Sequence, residues 1–135
     1  AFRSVNLLPR TPQTENILNR ANLSQLQAGG YVINVARGGH VVDADLIDLL
    51  DSGHLAGATL DVFRQEPLPP EHPFWHHPQI TVTPHTSART LRDETIAQIA
   101  AKVRLWASGT PPAQLPGAID RSPRSTRSSA PRKSM

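Results

Sequence analysis

Three side chains of complementary chemistry follow separate apolar runs of the sequence: Arg37, Glu66 and His85. A guanidinium such as that of Arg37 binds a carboxylate through two hydrogen bonds and can polarise a neighbouring carbonyl. Histidine exchanges protons near neutral pH, so His85 could give a proton to a developing alkoxide and take it back. Glu66 would favour the charged imidazole and orient its ring. The three together would suit the reduction of a 2-oxo acid.

Each of these residues also has an ordinary structural alternative. An arginine after a strand often forms a surface ion pair, a glutamate before a proline often belongs to a turn, and a lone histidine is often structural. Arg37 ends the apolar run "INVARGG", and a charge carried by a buried stretch needs a partner, either a protein group or an anionic ligand. The proposed reaction also requires a nicotinamide cofactor, because no side chain donates hydride.

The elements that must position these residues follow from the apolar pattern. Short apolar runs predict strands over residues 5–9, 31–36, 57–63 and 80–84. Helices are predicted over residues 24–30 with Ser24 as the cap, from a cap at Asp43 to Gly53, and over residues 91–108. The last helix carries Ile96, Ile99, Val103 and Trp106 at a spacing that predicts one buried face.

Apolar strands that alternate with short helices predict an α/β fold, a Rossmann-like doubly wound parallel sheet covered on both faces. Ligands of such sheets bind outside the carboxyl ends of the strands. We therefore expect a site at the edge that carries Leu8, Pro9, Arg37, Asp61, Glu66 and His85. Gly38 and Gly39 would let the backbone turn away without crowding it.

Composition limits the remaining possibilities. The chain has 135 residues and no cysteine, which excludes disulfides and thiolate metal sites and favours a cytoplasmic location. No apolar run is long enough to span a membrane. The formal net charge is +3, but residues 121–135 hold five of the fourteen basic residues and no acid, so the body is mildly acidic.

The basic tail over residues 121–135 is rich in Ser, Arg and Pro and predicts a disordered segment. Such a tail could contact phosphates of a nucleic acid. A solvated extension is the favoured interpretation, because no aromatic residue is interleaved for base stacking. We therefore expect neither a nucleic acid nor a membrane as a partner.

The segment "HPFWHHP" over residues 72–78 has three histidines and raises the question of a metal site. The spacing of His72 and His76 would suit a helix, but Pro73 and Pro78 favour a loop. No cysteine or patterned acid accompanies them. We therefore expect no metal here.

The motifs "NVARG" (34–38), "LDVFRQEPLP" (60–69) and "TPH" (83–85), in this order and at these separations, resemble the D-isomer-specific 2-hydroxyacid dehydrogenase family. The resemblance covers residues 1 to about 121 and is closest to the glyoxylate/hydroxypyruvate reductase A branch. It implies an NAD(P)-dependent oxidoreductase that reduces small 2-oxo acids such as glyoxylate or hydroxypyruvate to D-2-hydroxy acids. NADPH is favoured over NADH, and a homodimer is expected for the full-length protein.

The resemblance also implies roles for individual residues. Arg37 would bind the substrate carboxylate, Glu66 would support the histidine, and His85 would be the acid–base residue. Trp75 could close the substrate pocket or could simply pack for stability. Cofactor contacts are implied for Leu8, Pro9, Ala36, Arg37, Asp61, His85, Ser87 and Ala88.

The resemblance is incomplete, because the sequence has no glycine-rich phosphate-binding turn. We expect a truncated second half of a nucleotide-binding domain over residues 1–109, a segment returning toward a substrate domain over residues 110–120, and the tail. Strands 5–9 and 31–36 would border the missing half, which would leave an open edge and an uncovered apolar face. The chain alone would therefore aggregate or dimerise, and it would be inactive. The alternative is a non-catalytic remnant or a nucleotide-sensing interaction module of the same fold.

Overall fold

The computed structural model describes residues 2–87 and 92–119. Four parallel strands form one sheet in the order β1-β2-β3-β4, which is also their order along the chain. Their bounds are Arg3–Asn6 for β1, Gly30–Asn34 for β2, Leu55–Leu60 for β3 and Ile80–Val82 for β4. The predicted α/β class and the parallel sheet are confirmed.

Three α-helices accompany the sheet: α1 over Arg20–Leu23, α2 over Asp43–Asp51 and α3 over Arg92–Ala107. Short 3₁₀ turns lie at Gly38–His40, Pro73–Trp75 and Pro112–Gln114. None of the helices in the described ranges is both long and apolar enough to cross a membrane. The predicted tail over residues 121–135 lies outside the described residues, as does Ala88.

The first two strands end earlier than their apolar runs predict. The Asn6 carboxamide oxygen accepts a hydrogen bond from the Leu8 N–H at 3.1 Å, and Asn34 does the same for Ala36 at 3.2 Å. A side chain that bonds the backbone two residues ahead forms a turn in place of the next ladder bond. Leu8 and Ala36 therefore belong to turns.

The third and fourth strands also end before the predicted residues 63 and 84. β3 ends at Leu60, so Asp61 follows the strand and does not lie inside it as predicted. β4 ends at Val82, where the segment that carries His85 begins. All four strands nevertheless deliver their following residues to the same edge of the sheet, as the parallel arrangement requires.

The core lies on one face of the sheet, beneath α1 and α2. Burial alternates along β2, where Val32 and Asn34 are buried while Tyr31 and Ile33 are only half-buried. The second face is therefore uncovered in the described residues, as expected for this chain alone, whereas a complete sheet of this class is covered on both faces. The buried hydrophobic cluster comprises Leu23, Val32, Val41, Leu46, Leu49, Leu50, Leu55, Ala58, Leu60, Leu68 and Phe74.

Two predicted helix caps differ from the structure. The helix predicted over residues 24–30 with Ser24 as its cap is wrong, because α1 precedes that segment and Ser24 follows its last residue. The cap of α1 is Asn19, whose side chain accepts from the Asn22 N–H. Val42 is the cap of α2, and Asp43 is its first residue. Asp43 is already inside the helix, and its carboxylate faces His72 at 3.3 Å.

The predicted buried face of α3 is exposed. Ile96, Ile99, Val103 and Trp106 each expose more than half of their surface, and no side chain of α3 is buried. Periodicity identifies the residues that share a face of a helix, but it does not supply the surface that would cover them. The prediction of one apolar face is correct, and the prediction of its burial is wrong for this chain.

Candidate functional site

Arg37, Glu66 and His85 line one cavity of about 270 Å³ outside the carboxyl ends of the strands. Each residue arrives on a different segment: Arg37 after β2, Glu66 after β3 and His85 after β4. The sequence placed the three at one edge, and the structure brings them together. Arg10, Glu15, Gly38, Gly39, Phe63 and Arg64 complete the lining.

A hydrogen bond joins Glu66 and His85, with 2.8 Å between His85 Nδ1 and Glu66 Oε2. The other oxygen of Glu66 accepts from the Phe63 N–H at 2.9 Å. Burial by itself would raise the pKa of Glu66, but the hydrogen bonds from His85 and Phe63 outweigh it and lower that pKa. An ionised Glu66 requires Nδ1 to be the donor, which leaves Nε2 of His85 for proton exchange.

The backbone of His85 has a positive φ of 53°, a conformation that few non-glycine residues adopt. Asp61 holds the segment in place, because its carboxylate accepts from the Thr83 hydroxyl and from the N–H groups of Thr86 and Ser87, the latter two at 2.9 Å. Burial would raise the pKa of Asp61, but these hydrogen bonds lower it to about 2. Asp61 is therefore ionised at neutral pH, and its carboxylate positions the segment that carries His85.

Arg37 is exposed in the cavity, not buried with the strand that precedes it. Its Nη1 donates to the carbonyl of Ala36 at 2.6 Å. Among the residues that the structure describes, no carboxylate forms an ion pair with Arg37. Of the two partners considered from the sequence, an anionic ligand is the one this geometry favours.

Gly38 is needed for a close backbone contact rather than for a turn. A Cβ atom at Gly38 would lie 1.9 Å from the carbonyl carbon of Phe63 and 2.4 Å from the Arg64 nitrogen. Only glycine permits this approach. The segment that follows Arg37 therefore rests directly on the segment that leads to Glu66.

Arg64 was not singled out from the sequence, yet it ties these segments together. Its Nε donates to the Val41 carbonyl at 2.7 Å, and its Nη2 donates to the Gly39 carbonyl at 3.3 Å and to the side chain of Asn16. Glu15 faces Arg64 Nη1 at 3.7 Å. The only sequence signal was a basic residue two positions before Glu66, which does not distinguish it from a solvated arginine.

The residues predicted to contact a cofactor fall into two groups. Leu8, Pro9, Ala36 and Arg37 line a second cavity of about 500 Å³ at the ends of β1 and β2, together with Leu7, Arg10, Val35 and Ile119. Apolar side chains beside two guanidiniums fit a group that combines a flat ring with anionic phosphates. Asp61, His85 and Ser87 belong to the adjoining segment after β3 and β4. Their cofactor roles stay predictions.

Trp75 does not line the cavity that holds Arg37, Glu66 and His85. Its indole N–H donates to the Pro69 carbonyl at 2.9 Å, while the side chain is 48% exposed, so both alternatives for Trp75 stay predictions. The neighbouring histidines form no three-ligand metal cluster within the described ranges. Instead, His72 contacts Asp43 and His77 contacts Asp51, so the loop is attached to both ends of α2.

The family model described as "D-isomer specific 2-hydroxyacid dehydrogenase, NAD binding domain" matches residues 4–87. Two curated relatives are both named glyoxylate/hydroxypyruvate reductase A. The one from Yersinia enterocolitica is 49% identical over 111 residues, and the one from Serratia proteamaculans is 50% identical over 116 residues. These matches cover 82% and 86% of this chain but only 36% of each relative, so the chain spans about a third of their length.

Solved structures give the same family. A D-isomer specific 2-hydroxyacid dehydrogenase from Xanthobacter autotrophicus, in complex with NADPH and MES, superposes with a TM-score of 0.77 at 39% identity. An NADPH-dependent glyoxylate/hydroxypyruvate reductase from Sinorhizobium meliloti, in complex with NADP and sulfate, superposes with a TM-score of 0.75 at 39% identity. Both matches cover 88% of this chain, and they cover 48% and 38% of the respective neighbours.

Proposed function

Because the chain belongs to the D-isomer specific 2-hydroxyacid dehydrogenase family, we propose that it supplies the carboxylate-binding and acid–base groups of a 2-oxo acid reductase. The observation that carries the proposal is one cavity with an arginine that lacks a carboxylate partner in the described chain and a histidine paired with a glutamate. Glyoxylate and hydroxypyruvate are the proposed substrates, because both curated relatives are named as reductases of these two compounds.

In the proposed reaction, Arg37 holds the substrate carboxylate by two parallel hydrogen bonds and orients the 2-oxo group toward His85. His85 Nε2 donates a proton to the carbonyl oxygen as the carbon is reduced, and it takes that proton back in the reverse direction. Glu66, ionised and bonded to Nδ1, stabilises the imidazolium before the transfer and holds the ring in one orientation.

A nicotinamide cofactor supplies the hydride when bound. We propose that Leu8, Pro9, Ala36 and Arg37 provide part of its binding surface, because they line one cavity beside the site. NADPH is the proposed form, because two structural neighbours were solved in complex with NADPH or NADP. The cytoplasmic location and the homodimer of the full-length protein also stay proposals.

The carboxylate role of Arg37 is tested by titrating the chain with oxalate, a planar dicarboxylate that mimics a 2-oxo acid and cannot be reduced. Charged hydrogen bonds are worth about 1.5–3 kcal/mol, so Arg37→Met should weaken oxalate binding by roughly tenfold or more. Arg20→Met is the matched control, because Arg20 pairs with Asp48 away from the cavity. Equal oxalate affinity of the wild type and Arg37→Met would contradict the proposal.

The acid–base role of His85 is tested in a chimera that carries residues 4–87 in place of the matched segment of the Yersinia relative. The chimera should oxidise NADPH in the presence of glyoxylate or hydroxypyruvate. His85→Ala should then lower kcat by about 10²–10⁴. Glu66→Gln should also lower it, since a neutral amide stabilises an imidazolium less well than a carboxylate does. Unchanged turnover in His85→Ala would refute the assignment.

A further inference from the structure

A buried polar network lies directly behind the site and is made of Asn6, Asn34 and His40. Their exposed fractions are 7%, 0% and 0%. The Asn6 amide nitrogen lies 3.0 Å from the Asn34 carboxamide oxygen and 2.9 Å from His40 Nδ1. The network thus joins the ends of β1 and β2 to the 3₁₀ turn that follows Arg37.

The backbone fixes the donor and acceptor roles in this network. The Leu8 N–H needs an acceptor, which must be the oxygen of the Asn6 side chain at 3.1 Å, so the nitrogen of that side chain faces Asn34 and His40. Since this nitrogen only donates, His40 Nδ1 must accept. The proton of a neutral His40 ring is therefore on Nε2, which is buried.

The electrostatic surroundings agree with a neutral ring. Burial lowers the pKa of His40, and the nearby charges of Arg10 and Arg37 lower it further. Glu15 and the Pro9 carbonyl act in the opposite direction without cancelling the shift. A neutral imidazole can accept from Asn6, whereas an imidazolium could not.

The network holds both turns that enter the site. The Asn6 side chain accepts a hydrogen bond from the Leu8 N–H. The Asn34 side chain accepts from the Ala36 N–H and donates to the Arg37 carbonyl at 3.0 Å. These turns carry the proposed cofactor surface and the proposed carboxylate ligand. Loss of the acceptor at His40 would leave a buried N–H of Asn6 unpaired, at the full cost of its desolvation.

We propose that His40 is a positioning residue: as a neutral Nε2–H imidazole it accepts from Asn6 and so fixes the turn at Leu8 relative to the turn at Ala36 and Arg37. His40 contacts neither substrate nor cofactor in this scheme. The positioning itself is a property of the fold, and only its consequence for ligand binding rests on the proposed function.

The first test is the tautomer of His40 in the 135-residue chain, measured by ¹⁵N NMR of the imidazole at neutral pH. We expect a neutral ring with the proton on Nε2. A ring protonated on Nδ1, either as the other tautomer or as the imidazolium, would overturn the proposal, because Nδ1 could not then accept from Asn6.

The second test compares His40→Leu with His40→Asn by hydrogen exchange. In His40→Leu the amides of Leu8 and Ala36 should exchange roughly fivefold faster, as expected for the loss of one hydrogen bond. His40→Asn keeps an acceptor near the position of Nδ1 and should restore slow exchange, and it remains informative where the leucine variant does not fold. His54→Leu is the control, since His54 also has a buried Nε2 but lies just before β3. Unchanged exchange at both amides in His40→Leu would overturn the proposal.

The third test is oxalate affinity, which a merely structural role of His40 would leave unchanged in folded variants. His40→Leu should weaken oxalate binding roughly fivefold, and His40→Asn should bind as the wild type does. Equal affinity in folded His40→Leu would overturn the positioning role. A wild-type chain with the expected tautomer and exchange pattern but no oxalate binding would refute the proposed function and leave the positioning of the two turns supported.

Discussion

Asp61 offers a quantitative test of how the site is held together. Three donors converge on its carboxylate, and all three belong to the segment that carries His85. Asp61→Asn preserves the size of the side chain but leaves one oxygen where there were two. The new amide group would face a backbone N–H, so a donor would meet a donor.

Two independent arguments give the size of the effect. The pKa of Asp61 lies at about 2 instead of 3.8, and at 1.36 kcal/mol per pKa unit this is a stabilisation of about 2 kcal/mol. Loss of one charge-assisted hydrogen bond costs about 1.5–3 kcal/mol. We therefore expect Asp61→Asn to lower the free energy of unfolding by about 2–3 kcal/mol at neutral pH.

The pH dependence has a definite sign. Because the pKa of Asp61 is lower in the folded state than in the unfolded state, its stabilisation is fully present above about pH 4. It is lost as the pH falls toward about 2, where the carboxyl is protonated. Urea unfolding of both proteins across this range should show a difference of about 2–3 kcal/mol that shrinks toward zero as the pH falls.

Asp51→Asn is the matched control for this experiment. Asp51 lies 3.1 Å from His77, but its side chain is 65% exposed, and such surface pairs contribute less than about 1 kcal/mol. Asp51→Asn should therefore change the free energy of unfolding little at any pH. A constant difference between wild type and Asp61→Asn from pH 7 to pH 2, or no difference at all, would refute the inferred role of Asp61.

Three further predictions concern the frame of the site and the surface. Gly38→Ala should destabilise the chain by about 3 kcal/mol or more, because its methyl group would collide with the Phe63 backbone; a urea midpoint equal to wild type would contradict the close approach. Arg64→Lys keeps the charge but loses the fork across the Gly39 and Val41 carbonyls, and should cost about 1–2 kcal/mol by the same measurement. Ile99→Ser should leave stability within about 0.5 kcal/mol and reduce self-association in light scattering, because Ile99 is 55% exposed; a large loss of stability would show that α3 is covered.

Much of the fold was predictable because apolar runs and helical periodicity are local signals. The strand ends were not predictable from apolarity alone, since Leu7, Leu8 and Val35 are apolar residues that lie beyond the strands. The asparagine at each end decides the boundary by bonding to the backbone two residues ahead. Such a bond depends on the geometry of the turn, and composition does not reveal it.

The residues of the site could likewise be predicted only in part. Arg37, Glu66 and His85 could be placed at one edge because parallel strands share a direction, and their residue types suggested the chemistry. Arg64 and His40 could not be identified, since their partners are backbone carbonyls or buried amides from distant segments. A contact between residues 23 or 34 positions apart has no local trace in the sequence.

The contact between Gly38 and the backbone of Phe63 and Arg64 has a consequence for redesign of the site. The spacing between the segments that carry Arg37 and Glu66 is set by main-chain atoms, which most substitutions leave in place. Side chains that face the cavity, apart from Arg64, can therefore be exchanged to accept a ligand of another shape or charge while the spacing of the frame is kept. The glycine is the position that such a redesign has to preserve.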